Sequence, residues 1–472
     1  MCRSAGGVTA LWTSSALAAS MQGQVSGDFT VNGVAFDSRE IGPGDLFLAL
    51  KGEHSDGHLF VDQAFAAGAA GAIVSEPVDG PHILVSDTTV ALNLLAKASR
   101  DRTASKIIGV TGSVGKTGTK DALFAALDRC SLGHAHRSVK SYNNHVGVPL
   151  SLSRMAKSAD YGIFEMGMNH AGELAELTQL VRPDVAVITT IGPAHIGNFV
   201  HGEEGIADAK AEIFEGLTAD GTAIIPFDNP HYQRLKAAAG RYCQNIVSFG
   251  FGVDADVRAI DVVPAPQGGS LVTAKIRDKS LCYTIAEPGK HWVSNSLAIL
   301  AAVDAAAGDL ACAGLALAEL GGIEGRGKRH RISLADGGIF QLIDESYNAN
   351  PVSMQATLQQ MALTDPAGKK IAILGAMGEL GDGSRAFHEA LAEDIVGAKL
   401  SSVILVGDDM RHTVSKLQQA LDHDLEISHV DNASDALTEV AKKISDGDIL
   451  LVKGSNYLGL GSVVSSLVSG EY

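Results

Sequence analysis

Thr111-Gly112-Ser113-Val114-Gly115-Lys116-Thr117 follows the apolar run Ile107 to Val110 and sets two glycines, a lysine and two threonines in seven residues. That spacing suits an anion. Gly112 and Gly115 let the backbone curl so that successive N–H groups point inward, and a helix starting near Lys116 adds its positive end. Lys116 would set an ammonium between the β- and γ-phosphates of a nucleotide, and the Thr117 hydroxyl would reach a phosphate-bound Mg²⁺. The glycines stand at 109, 112 and 115, so this is a short Thr-Gly-x-x-Gly-Lys-Thr loop rather than the full Walker spacing. The plain alternative is a glycine turn ahead of an ordinary helix.

Other residues carry chemistry at a distance from the loop. Glu165 ends an apolar strand, Tyr161 to Phe164, and His195 follows another, Val185 to Thr190. Both therefore emerge at strand carboxyl ends, where open α/β sheets hold ligands. A strand-end glutamate beside Thr117 could share the magnesium, whereas a lone glutamate or histidine is more often a hydrogen-bonded structural group. Lys210 lies on a helix, Ala207 to Phe214, where a lysine is ordinarily solvated. Ser38, Arg39 and Lys51 could converge on a diphosphate, or form a solvated turn with a surface ion pair. Arg326 and Arg329 sit in a basic, glycine-bounded segment, Gly325 to Arg331, that reads as an interdomain hinge able to lend an arginine to a phosphate. Asn295 reads as the N-cap of a helix over 296–307, or as a base ligand.

Positioning these groups calls for three α/β domains. Residues 1–104 read as short strands and helices, with a helix from Ala64 to Ala72 and a strand at Ala72 to Val74. The central unit, 105–324, alternates strand and helix from the phosphate loop onward, its helix running through Cys130, with residues 254–285 as alternating strands that form a small sheet insert. Gly118, just inside that helix, suggests close packing or a ligand. Residues 325–472 show a doubly wound, Rossmann-like pattern: strands near 340–343, 371–374, 403–406 and 449–452, and helices to Met361 and from Phe387.

Composition narrows the function classes. A chain of 472 residues, 46% hydrophobic, can bury several cores, and a formal charge of −17 offers no basic field for nucleic acid. No apolar run is long enough for a membrane span. Arg3 and the apolar stretch Ala5 to Leu17 loosely imitate a leader, but Thr9, Thr13, Ser14 and Ser15 interrupt it, so a first domain helix is expected there. Cys2, Cys130, Cys243, Cys282 and Cys312 show neither zinc nor disulfide spacing, which suits the cytoplasm.

Together these motifs resemble the Mur ligase family. The resemblance rests on Asp37-Ser38-Arg39, Phe47 to Gly52, Thr111 to Thr117, Asn143 to Pro149, Glu165 to His170, Ala209 to Leu217, Asp344-Glu345-Ser346-Tyr347-Asn348-Ala349-Asn350-Pro351 and Gly375 to Gly381. The Asp344 to Pro351 spelling points to the branch that joins D-alanyl-D-alanine to UDP-N-acetylmuramoyl-tripeptide in peptidoglycan precursor synthesis. The resemblance implies a small α/β uridine-nucleotide domain, a central P-loop ATPase-like domain and a C-terminal Rossmann-like domain, probed by small-molecule substrates and working as a monomer with ATP and two Mg²⁺ ions. It implies an acyl-phosphate route with Lys116, His195 and Lys210 as catalytic residues. By the same resemblance Thr111 to Thr117, Asn295, Tyr347, Asn348 and Arg326 or Arg329 hold ATP; Thr117 and Glu165 hold one Mg²⁺; His195 and a carbamylated Lys210 hold the second; and Ser38, Arg39, Lys51, Asn143 and Asn144 contact the uridine substrate. Two departures stand out: Gly118 where Ser or Thr is commoner, and Asn456 rather than Arg after Lys453-Gly454-Ser455. Rival readings are the ligase adding the third amino acid, a folylpolyglutamate-type synthetase, and a P-loop ATPase that makes no amide.

Overall fold

The structure, a computed structural model, describes residues 10–52, 55–265, 269–322, 324–420 and 425–471. Cys2, Arg3 and the leader-like residues through Thr9 lie outside the described residues. The expected first helix is present as Ser14–Met21, with the Thr13 hydroxyl accepting from the Ala16 N–H at its start.

Three larger sheets organise the chain. The first has five strands in the order Gln24–Ser26, His82–Leu84, Gly71–Val74, Asp45–Leu48 and Gly33–Ala35, parallel except for the antiparallel Gln24–Ser26. The helix read over Ala64 to Ala72 is instead Val61–Ala66, because Gly68 adopts a left-handed φ of 107° and turns the chain early.

The central sheet has nine strands, and its phosphate-loop strand Lys106–Thr111 lies between Tyr161–Glu165 and Val185–Ile188. All three are parallel, so their carboxyl ends share one edge, with Glu165 opposite Val110 and Ile188 opposite Thr111. Side chains alternate across the sheet: Ile108 and Val110 join the core on one face, Ile107 that on the other. The alternating strands read over 254–285 are present as Val257–Pro264, Ser270–Ile276 and Lys279–Ile285, and they are added to the edge of this same sheet. Val257–Pro264 pairs parallel with Asn245–Gly250 at Phe249 and Gly250, which joins the hairpin to the main ladder. The short edge strand Ala135–Arg137 had too few apolar residues to be read in advance.

The last sheet has six strands in the order Lys328–Ser333, Ile339–Glu345, Ile449–Lys453, Lys370–Gly375, Ser402–Val406 and Glu426–Val430. Most of the basic segment read as a flexible hinge is its antiparallel edge strand, Lys328–Ser333, paired from Lys328–Asp344 to Ser333–Ile339. Charged side chains are at home on such an edge, which is why composition disguised it.

Candidate active site

The phosphate loop is built around a position only glycine can fill. Gly112 has φ +149°, and a Cβ there would lie 1.9 Å from Thr189 Oγ1. That hydroxyl donates to the Val114 carbonyl at 2.5 Å, while the Ser113 N–H donates to the Thr190 carbonyl at 2.9 Å. Ser113 Oγ in turn donates to the Gly192 carbonyl at 2.9 Å. The strand Val185–Ile188 thus hands its trailing loop to the phosphate loop as a brace. The Thr111 hydroxyl is buried without a hydrogen-bond partner.

Gly115, at φ +87°, starts the helix Lys116–Cys130. Asn295 packs against it, since a Cβ on Gly115 would lie 3.0 Å from Asn295 Oδ1. The helix carrying Asn295 starts at Lys290 with Gly289 as its cap, so Asn295 lies inside it and is no N-cap. Gly118 is explained by packing: a Cβ there would sit 2.9 Å from the Trp292 ring.

Lys116 Nζ donates to the Gly112 carbonyl at 2.7 Å, folded over its own loop. Burial lowers its pKa; Glu165 opposes that shift and Arg326 adds to it. Thr117 Oγ1 donates to Glu165 Oε2 at 2.9 Å, and Asn143 Nδ2 donates to Glu165 Oε1 at 2.8 Å. Glu165 is fully buried, with its backbone N–H on Ser138 Oγ at 3.0 Å. Asn143 therefore bonds a carboxylate, whereas Asn144 Oδ1 accepts from the Val146 and Gly147 N–H groups ahead of the helix Gly147–Ser153.

Lys210 departs from the ordinary surface lysine. It is 1% exposed, and among the described residues its ammonium has no hydrogen bond or ion pair. Burial, with the charge of Lys116 added, holds its pKa well below the usual lysine value. His195, at φ +61°, meets the carboxylate of Glu379 from the six-stranded unit as an ion-pair contact at Nδ1, which is buried and makes no aligned hydrogen bond among the described residues. Burial lowers its pKa against the pull of Glu379, and Lys116 and Lys210 lower it further. Lys116 is the shared neighbour: Glu165 and Arg326 act on it, and its charge acts on His195 and Lys210.

The two basic-segment arginines diverge. Arg326 stacks over the Tyr347 ring at 4.2 Å and acts on Lys116. Arg329 faces Glu287 and lines a cavity of about 540 Å³ with His291, Asn229 and Gln360. The loop after Ile339–Glu345 is held by Asp344, which accepts from the Gly325 and Ser346 N–H groups, and by Lys453, which donates to Glu345 at 3.1 Å and to the Asn348 carbonyl at 3.2 Å.

Ser38, Arg39 and Lys51 do not converge. Ser38 Oγ donates to Gln63, Arg39 is 82% exposed and paired with Asp37 at 2.6 Å, and Lys51 lies 3.3 Å from Glu76. Nearby, Lys140 and Tyr142 of the central unit both reach Glu40.

Magnesium fits the donors at the loop. Among the described residues no three His, Cys, Asp or Glu side chains form a metal cage. Mg²⁺ needs none, since it takes one or two protein oxygens and completes its shell with phosphates and water. Thr117 and Glu165 offer such a pair. Of these residues, Glu379, Thr189 and Ser138 had not been singled out in sequence; Glu379 lies in the Gly375 to Gly381 motif, the one available signal.

Three segments match one family: residues 30–100 the Mur ligase family catalytic domain, 110–303 the Mur ligase middle domain, and 330–456 the Mur ligase glutamate ligase domain. The chain belongs to the Mur ligase family and is an ATP-dependent ligase. It is 35% identical over 451 residues to the UDP-N-acetylmuramoyl-tripeptide–D-alanyl-D-alanine ligase of Bacillus subtilis strain 168, covering 93% of each chain. MurF from Acinetobacter baumannii superimposes with a TM-score of 0.82 at 31% identity, over 97% of this chain and 99% of that one. MurF from Thermotoga maritima, solved in complex with ADP, does so with 0.75 at 26% identity, over 93% and 98%. Among the described residues no helix is long and apolar enough to cross a membrane.

Proposed function

We propose that the chain joins D-alanyl-D-alanine to UDP-N-acetylmuramoyl-tripeptide at the expense of ATP, in the cytoplasm and as a monomer. The observation that carries this is the Thr117–Glu165 bond at the mouth of the phosphate loop, with a buried Lys210 that is unpaired among the described residues and lies near enough to Lys116 to feel its charge, in a chain that aligns over 93% of its length with a relative of that name. We take residues 1–104 as the uridine-nucleotide domain, 105–324 as the ATP domain and 325–472 as the domain receiving the amine.

A carboxylate is a poor acyl donor, so the γ-phosphoryl group passes to the tripeptide carboxylate and gives an acyl phosphate and ADP. The dipeptide amine then attacks the acyl carbon, the amide forms and phosphate leaves. Phosphoryl transfer needs positioning and charge neutralisation more than covalent help. Lys116 supplies a positive charge at the γ-phosphate, the loop N–H groups orient the triphosphate, and Arg326, already beside Lys116, adds charge from the basic segment. We take Asn295, Tyr347 and Asn348 as the adenine contacts.

Mg²⁺, when bound, neutralises phosphate charge; Thr117 and Glu165 would hold one ion, and His195 with Lys210 a second. A neutral, buried Lys210 amine adds CO₂ and releases a proton, becoming a carbamate whose oxygens suit that ion. The depressed pKa of Lys210 keeps the amine neutral, which this addition requires. The substrate contacts of Ser38, Arg39, Lys51 and Asn144 require the uridine ligand to replace their present partners.

The test is phosphate release by the purified chain with ATP and Mg²⁺. Release that needs both UDP-N-acetylmuramoyl-tripeptide and D-alanyl-D-alanine supports the reading. Release without the dipeptide would point to a simple ATPase, and a response to a single amino acid to another member of the family.

A further inference from the structure

Among the contacts between the six-stranded unit and the central unit, one brings two backbones and two titratable side chains together. The loop after strand Lys370–Gly375 brings Glu379 to His195, and the backbones meet beside it: a Cβ on Gly381 would lie 2.6 Å from Gly197 Cα. The Gly197 N–H points to the Glu379 carbonyl at 3.5 Å. Glu379 and His195 both occupy the left-handed region, at φ +63° and +61°, which few residues other than glycine adopt. From behind, the loop is anchored rigidly. Buried His388 accepts the Met377 N–H at 3.0 Å, and Ser455 Oγ accepts the Gly378 N–H at 2.8 Å.

We propose that Glu379 is a positioning residue supplied across the cleft: its carboxylate lies against the otherwise unpartnered Nδ1 of His195 and takes the Nδ1–H when the two units dock, leaving Nε2 for the phosphate-loop site. A histidine that serves a metal commonly donates its other ring N–H to a carboxylate, which fixes both tautomer and ring orientation. Here that carboxylate comes from a different unit of the chain than the histidine. The orientation of His195 therefore depends on where the six-stranded unit places its Gly375 to Gly381 loop. This rests on the ligase reading above for the role of His195.

Three variants test it: Glu379→Ala, Glu379→Gln and Gly381→Ala. Glu379→Ala is expected to lower kcat 10- to 100-fold with the KM for ATP little changed. Glu379→Gln keeps an acceptor oxygen for the Nδ1–H and is expected to recover most of that loss. Gly381→Ala leaves the carboxylate in place but pushes the backbones apart, and should mimic Glu379→Ala. Mn²⁺ binding, followed by electron paramagnetic resonance with a non-hydrolysable ATP analogue, reads the site without turnover. The weaker of two Mn²⁺ sites should loosen about tenfold in Glu379→Ala and Gly381→Ala and stay intact in Glu379→Gln. Wild-type kcat and Mn²⁺ binding in Glu379→Ala would overturn the proposal, as would a Gln variant as impaired as the Ala variant. Failure of the wild-type chain to release phosphate with both substrates would sink the ligase reading instead, while the Mn²⁺ measurement still reports on Glu379.

Discussion

Thr117 Oγ1 and Glu165 Oε2 are 2.9 Å apart, joining the first turn of the phosphate-loop helix to the end of the neighbouring strand. The other carboxylate oxygen of Glu165 is taken by Asn143, so the glutamate is aimed from both sides. Asn143→Ala is therefore expected to leave the fold intact but raise the apparent KM for Mg²⁺ by about 10- to 100-fold. Titrating Mg²⁺ at saturating ATP checks this, and an unchanged Mg²⁺ dependence would make Asn143 a substrate contact only.

Lys210→Ala should abolish phosphoryl transfer and leave a pocket where the side chain lay. Acetate or formate is expected to restore part of the activity by returning an anionic oxygen, and chloride at equal ionic strength should not. Full activity in the variant without additives would remove Lys210 from the mechanism.

Arg39 is exposed and, among the described residues, paired only with Asp37, so it is free to exchange that partner for a diphosphate. Arg39→Ala is expected to raise the KM for the uridine substrate about tenfold or more while the KM for ATP stays near its original value. Equal effects on both constants would place the diphosphate elsewhere.

Glu287 titrates unusually. Burial raises its pKa to about 7, Arg329 opposes the shift and Glu345 adds to it. The folded chain keeps this proton between its unfolded value of 4.5 and about 7, where the unfolded chain has lost it, so stability falls as pH rises through that window. Glu287→Gln removes the cost, and the gain should be near zero at pH 4.5 and on the order of 2 kcal/mol at pH 8. Thermal melts of both proteins at the two pH values decide; an equal gain at both would assign the effect to packing.

The phosphate loop and the strands ending at Glu165 and before His195 were legible because glycine spacing and apolar runs are local signals. The partners of Glu165 were not: Asn143 and Ser138 reach it from a loop more than twenty residues earlier, and only the tertiary fold brings them there. Lys210 shows the same boundary from the other side. Its helix position reads as surface, and burial comes from elements packed over it. The basic segment misled because an edge strand tolerates charges that a central strand would not, so Lys328–Ser333 carried little of the usual apolar alternation.

Lys140, His195 and Glu379 share a left-handed backbone, and each sits where one sheet unit meets another: Lys140 against Glu40, and His195 against Glu379. That conformation costs a residue with a side chain on the order of 1 kcal/mol. Any relaxation of these residues on parting the units would return part of the energy lost with the broken contacts, and the barrier a finished product meets on leaving would be smaller than those contacts alone set.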